Sequence, residues 1–333
     1  MLRALFCALG FSLSLLAQSS AVVGAGYLTP APVSAAPGQI LTFFVTGLGI
    51  SSAFHAPAGS LPTSLGGVTA TLRQGSDLAV PIVDIRPVST CPDLANIPEQ
   101  SPCATLTAAT LQIPYELALP CALCLRPPLP PAELFLSANG HDVAPIELNA
   151  LADQTHVLTA CDLFLVPFGG TLQFNTAGLG CAPMVTHSDG SLVSASKPAN
   201  VGDTITAWLV GLGQTNPGAS TGQPAPAAAP TLETFSLDFN YTVNALAVRP
   251  YTGRPDVKPP QPLFAGLAPG YAGLYQVNFV VPSDPLNGTP RCAQPGTFSP
   301  GADVVQSNLT VSIGGGFSFD GAGICVATHI PVD

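Results

Sequence analysis

Gly266-Leu-Ala-Pro-Gly-Tyr-Ala-Gly-Leu-Tyr-Gln-Val-Asn-Phe-Val-Val-Pro282 runs from a Gly/Pro turn straight into an alternating segment. Tyr275, Val277, Phe279 and Val281 fall on one face; Gln276, Asn278 and Val280 fall on the other. A period of two with one apolar face predicts a half-buried β-strand. Pro282 closes it, because proline cannot donate to a ladder.

The chain uses this kind of segment more than once. Pro37-Gly38-Gln-Ile-Leu-Thr-Phe-Phe-Val-Thr-Gly47-Leu48-Gly49 matches Gly202-Asp-Thr-Ile-Thr-Ala-Trp-Leu-Val-Gly211-Leu212-Gly213 at an offset of 164 residues. The inward positions correspond as Leu41/Ile205, Phe43/Ala207 and Val45/Leu209, the outward ones as Thr42/Thr206 and Phe44/Trp208. The same offset places Leu111, Ile113, Tyr115 and Leu117 on Tyr275, Val277, Phe279 and Val281, and Gln112 on Gln276. Leu134–Gly140 matches Leu309–Gly315 at an offset of 175, with the Cys292–Asp303 loop as the place of the insertion. A period this long indicates duplicated domains rather than a stacked solenoid. Each Gly-Leu-Gly reads as a bend or bulge after a strand.

Composition agrees. The 333 residues carry only 8% charged side chains but 33 Gly and 36 Pro. Amphipathic helices need a charged outer face, so these numbers favour short strands joined by turns. With 47% apolar residues a core can form, which excludes disorder. The predicted fold is all-β: two tandem immunoglobulin-like antiparallel β-sandwich domains related by internal duplication. Residues 1–25 are read as a signal peptide, 27–160 as the first sandwich and 161–333 as the second. Pro-rich loops are expected at 86–105, 119–132, 216–231 and 249–262.

Arg3, the apolar run Ala4–Leu16 and the small residues after it fit a secretory signal, with cleavage at Ser19-Ser20-Ala21 or Val23-Gly24-Ala25. An uncleaved anchor over Leu2–Val23 is the alternative. No later segment is apolar enough to span a membrane. Removal of the signal removes Cys7 and leaves Cys91, Cys103, Cys121, Cys124, Cys161, Cys181, Cys292 and Cys325. In an oxidising compartment these eight are expected to form disulfides, within each half. They permit roughly a hundred connectivities; spacing gives a slight preference for Cys91–Cys103, Cys121–Cys124, Cys161–Cys181 and Cys292–Cys325.

Several blocks resemble an uncharacterised, Solibacter-type family of domains at the C-termini of exported Acidobacterial proteins. They are Ala36-Pro-Gly-Gln-Ile-Leu-Thr, Leu61-Pro-Thr-Ser-Leu-Gly-Gly-Val, Asp189-Gly-Ser-Leu-Val-Ser-Ala-Ser-Lys-Pro-Ala, Val210-Gly-Leu-Gly-Gln-Thr-Asn-Pro and Gly266–Asn278. The resemblance implies immunoglobulin-like domains on exported proteins. It implies no known activity and carries over no functional residue.

No catalytic, cofactor or metal site is expected. Gly218-Ala-Ser-Thr-Gly222 fits the nucleophile-elbow spacing, but Gln223-Pro-Ala-Pro leaves no room for the helix that motif needs. Cys121-Ala-Leu-Cys124 lacks the βαβ setting of a redox pair and the second pair of a zinc site. His55, His141, His156, His187 and His329 show no metal-ligand spacing. His187-Ser-Asp189 and Asp189-Gly-Ser read as turn residues rather than a triad or a calcium loop. Asn240, Asn287 and Asn308 match the N-glycosylation acceptor pattern, as many positions do in a chain rich in Ser and Thr.

The net charge of −10 without a basic cluster excludes nucleic-acid binding and anionic-membrane docking. The expected function is a non-catalytic binding, adhesion or scaffold role at the cell envelope or outside the cell, toward a protein or glycan. The alternatives are a polysaccharide hydrolase with a carboxylate pair in an interdomain cleft, and a subunit that self-associates through sheet edges.

Overall fold

The computed structural model describes residues 22–25, 33–89, 105–120, 130–159, 167–168, 171–172, 183–194, 196–244, 260–283, 307–313 and 318–327. Among them there is no helix. The strands of the first half are β1 (Val22–Ala25), β2 (Val33–Ala35), β3 (Ile40–Val45), β4 (Phe54–His55), β5 (Ser64–Leu65), β6 (Val68–Arg73), β7 (Asp77–Ala79), β8 (Ile82–Ser89), β9 (Thr105–Gln112), β10 (Ala132–Ala138), β11 (His141–Asp142) and β12 (Ile146–Ala150). Those that follow are β13 (His156–Val157), β14 (Pro167–Phe168), β15 (Thr171–Leu172), β16 (Val185–His187), β17 (Thr204–Val210), β18 (Ala229–Pro230), β19 (Phe235–Asn244), β20 (Pro262–Leu267), β21 (Tyr275–Val280), β22 (Ser307–Ile313) and β23 (Ser318–Ala322).

Two sheets face each other in the first unit, with orders β1-β3-β9-β8-β4 and β2-β12-β10-β6-β5. Phe43 and Leu111 from one sheet share a core with Leu72, Leu134 and Leu148 from the other. The second unit pairs the sheet β13-β17-β21-β20-β18 with β19-β22-β23. There Ile205, Val277 and Phe279 pack with Leu237, Phe239 and Val311, and the Phe239 and Phe279 rings lie 6.3 Å apart. A core between two mainly antiparallel sheets is the arrangement of a β-sandwich.

β21 has the predicted facing: Tyr275, Val277, Phe279 and Val281 are buried, while Gln276, Asn278 and Val280 are not. Three details differ from expectation. β8 continues through Ser89, into a stretch that composition marks as loop. Phe44, on the outward face of β3, is only 1% exposed and forms a small separate cluster with Val88, Leu106 and Ala108. The third concerns register. Leu41 pairs with Leu111, but Ile205 pairs with Phe279. Counted from the shared glycines, Leu111 therefore answers to Phe279 and Gln112 to Val280, not to Gln276. The offset of this strand is 168, not 164. Main-chain hydrogen bonds agree, with Gly38 N–H donating to Ile113 and Gly202 N–H to Val281.

The lead-in segments also correspond. β2 runs parallel to β12, Ala35 beside Ala150, and Ala199 bridges in parallel to Val326. The chain leaves the first unit at Leu151, whose N–H donates to Ala35, and enters the second at Gln154, whose N–H donates to Gly211. β13 already pairs with β17. The crossing thus lies ahead of the boundary expected near Ala160.

The two units are joined by buried hydrogen bonds. Gln112 is fully buried, and its Oε1 accepts from Gly222 N–H at 2.7 Å. Leu61 N–H donates to the Gly222 carbonyl at 2.8 Å. Thr221 Oγ1 accepts from Tyr115 N–H and donates to Glu116. Gln39, also fully buried, accepts from Ala36 N–H and donates to the Gln154 carbonyl at 3.2 Å.

Gly49 and Gly213 end equivalent bends, both with positive φ. A Cβ at Gly49 meets open space; one at Gly213 would press on the Ala152 carbonyl oxygen in the linker. Gly49→Ala is expected to cost about 1–2 kcal/mol, the left-handed backbone penalty. Gly213→Ala should cost more, roughly 3 kcal/mol, because overpacking adds to it. Urea midpoints measured at unchanged m-value check the difference.

Candidate functional site

The linker that carries the chain between the units also floors a cavity. Leu151, Asp153 and Gln154 form its base, Glu233 before β19 one wall, and Ser318 and Phe319 at the start of β23 the other. Its volume is about 410 Å³, within the roughly 300–1,000 Å³ of small-molecule sites. Phe319 is 40% exposed, an uncommon position for an aromatic ring that has no binding role.

Asp153 is only 8% exposed. Its Oδ1 finds no hydrogen-bond partner among the described residues. Burial pushes the carboxyl above its usual value, a hydrogen bond from the Ser318 hydroxyl offsets part of this, and the charge of Glu233 pushes it further up. Ser318 Oγ in turn accepts from Thr155 N–H at 2.6 Å, which fixes the hydroxyl beside the carboxyl. Asp320 is engaged differently. It pairs with His156 Nδ1 at 2.7 Å and accepts from the N–H groups of Val157 and Gly321, tying β13 to β23. The cavity therefore has one carboxyl held by structure at its back and one unsatisfied carboxyl facing in.

Residues singled out in the sequence lie elsewhere. Ser220, in the Gly218–Gly222 stretch, is exposed in a loop; its carbonyl accepts from Gln223 N–H and no helix follows. That loop clamps the two units together. Asp189 accepts from Ser191 and pairs with Lys197 at 2.7 Å, an exposed turn in which these partners hold its carboxyl well below the usual carboxylate range. His187 bonds the Lys197 carbonyl; His55 sits on β4, with Nδ1 2.5 Å from Asp84. His141 is exposed on β11, and His329 lies outside the described residues. Of the eight cysteines only Cys325 is among the described residues, half-buried with its carbonyl accepting from Ala199 N–H. Cys91, Cys103, Cys121, Cys124, Cys161, Cys181 and Cys292, with the pairings expected for them, lie outside, as do residues 1–21 of the expected signal and Asn287.

A second hollow of about 370 Å³ is lined by Arg73, Asp77 and Glu133. Its charges are already used: Arg73 pairs with Asp77 at 2.7 Å and stands 4.5 Å over the Phe135 ring. Among the described residues no group of three His, Cys, Asp or Glu side chains could hold a metal ion, and no helix is long and apolar enough to cross a membrane. No protein-family model matches the chain, and no curated protein matches it.

Sequence reasoning missed Asp153. Leu151-Ala-Asp-Gln-Thr reads as an ordinary polar turn, and only the approach of residues 233 and 318 buries the carboxyl. The sign of its pH effect follows from the raised value. Ionisation is harder in the folded state, so the group lowers stability as pH rises from the unfolded value of about 4 through the folded one. Asp153→Asn removes this dependence. Relative to wild type, the variant should gain stability between pH 4 and pH 7; urea midpoints at the two pH values measure it, and a difference independent of pH would mean that Asp153 is not desolvated.

Proposed function

We propose that the chain is an exported, non-catalytic protein of two duplicated immunoglobulin-like sandwiches that binds a protein or glycan at the cell envelope. The strand orders β1-β3-β9-β8 and β12-β10-β6 correspond to the ABED and GFC sheets of that fold, and β13-β17-β21-β20 and β23-β22-β19 repeat them. The matching Gly38–Ile113 and Gly202–Val281 bonds support a duplication. The secretory pattern of the first residues and the resemblance to exported Acidobacterial domains support the compartment.

The observation that carries the binding role is the cavity at the linker, with a buried, unsatisfied Asp153 and an exposed Phe319. Binding sites place a few polar groups within an apolar lining, and a fixed scaffold keeps them in position. A hydrolase is the second reading. Asp153 and Glu233 face one cleft, and a carboxyl raised above its usual value beside a second carboxyl is the pattern of an acid paired with a base.

One mixture separates them. Purified protein is incubated with isolated envelope material, and sedimented protein and released reducing ends are both measured. Binding predicts co-sedimentation without release, weakened about tenfold by Phe319→Ala. Release that disappears in both Asp153→Asn and Glu233→Gln would establish the hydrolase instead.

β1 bears on the signal. Val22–Ala25 pairs with β3, Val22 facing Val45 and Ala25 facing Phe43. Cleavage after Ala21 keeps this edge strand; cleavage after Ala25 removes it. N-terminal sequencing of the exported protein should therefore begin at Val22.

A further inference from the structure

We infer that the linker cavity is a receptor for an organic ammonium group. The inference rests on the binding reading and names the chemistry of the ligand.

The argument starts from Asp153. A buried carboxylate without a partner is unfavourable, because water no longer solvates it and nothing replaces the water. Its Oδ1 is left without a donor, and Glu233 adds a second negative charge at the same cavity. No Lys or Arg lines the cavity, and the whole chain has only nine such residues against 19 acidic ones. The missing partner is therefore a cation supplied from outside. It would donate to Asp153 Oδ1 and relieve both carboxylates at once.

The size and walls select the kind of cation. A volume of about 410 Å³ far exceeds one metal ion, and the donor set lacks a third acidic or imidazole ligand. The cavity instead has apolar walls. Leu151 can cover the methylene groups of an amine, and the exposed Phe319 face can take its charged end or the carbons beside it. Ser318 is already committed to Thr155 and Asp153, so it serves to orient the carboxyl. The ammonium group can come from an amino sugar or from a lysine-type side chain; both present the same charge on a carbon frame.

The test is a titration of the full chain, followed by NMR, with four probes: glucosamine, Nα-acetyl-lysine amide, and their neutral counterparts glucose and Nα-acetyl-norleucine amide. The expected result is that at least one amine shifts the Ser318 and Phe319 signals. Its neutral counterpart should bind about tenfold more weakly or worse, as expected for loss of a desolvated charge partner. Asp153→Asn should weaken the amine by a similar factor, Glu233→Gln by several-fold. The two amines identify the source. If Asp153→Asn does not fold, Glu233→Gln and Phe319→Ala carry the test. Equal binding of amine and neutral probe, shifts unaffected by both carboxylate variants, or no shift with either amine would overturn the inference. Envelope co-sedimentation with no amine response would defeat this inference alone; an amine response without envelope binding would defeat the envelope role alone.

Discussion

The Gly222 N–H is buried between two sandwiches, where no strand of either can accept its hydrogen bond. The Gln112 amide oxygen accepts it at 2.7 Å. Leaving such a group unsatisfied costs about 1–3 kcal/mol, so the bond determines how the units meet. It acts with others that cross the same junction: Leu61 to Gly222, Tyr115 to Thr221 and Gln39 to Gln154. In each of them main chain from one side is satisfied by the other. A linker with both ends fixed in this way cannot swing, and Asp153 lies in that linker. The burial of its carboxyl, and so the character of the cavity, depends on the junction.

The junction also explains a chain poor in charge. With 8% charged residues, ion pairs can contribute little to fixing two domains. Buried amides and main-chain bonds take that role. Tyr115 and Tyr275 are part of it: their hydroxyls adjoin, Tyr275 donates to the Gly213 carbonyl, and burial holds both phenols above their usual value. The Gly218–Gly222 stretch, whose spacing suggests a nucleophile, belongs to the same structural device. Its small residues let the loop lie flat against Pro81 and Leu61.

Much of the architecture is legible in the sequence, because strand periodicity is a local property. The buried faces of β3, β17 and β21 follow from alternation alone. The register of β21 does not. A shift of four residues leaves every side chain on the same face, so the pattern fits an offset of 164 as well as 168. The shared proline, Pro114 and Pro282, marks the correct alignment. The crossing point was placed late because β13 is only two residues long and carries no alternation to read. The cavity was not legible at all. Glu233 and Ser318 lie far from Asp153 in sequence, and a single Asp in a polar pentapeptide carries no sign of burial.

The central claim is that the two sandwiches form one rigid body around the linker. Residual dipolar couplings from backbone amides of both units, measured in one weakly aligned sample, test it most directly. The account predicts that β3, β9 and β10 in the first unit and β17, β21 and β22 in the second fit a single alignment tensor with the described orientation. Two tensors of different magnitude or direction would show units that move independently, and the buried Asp153 cavity would lose its basis.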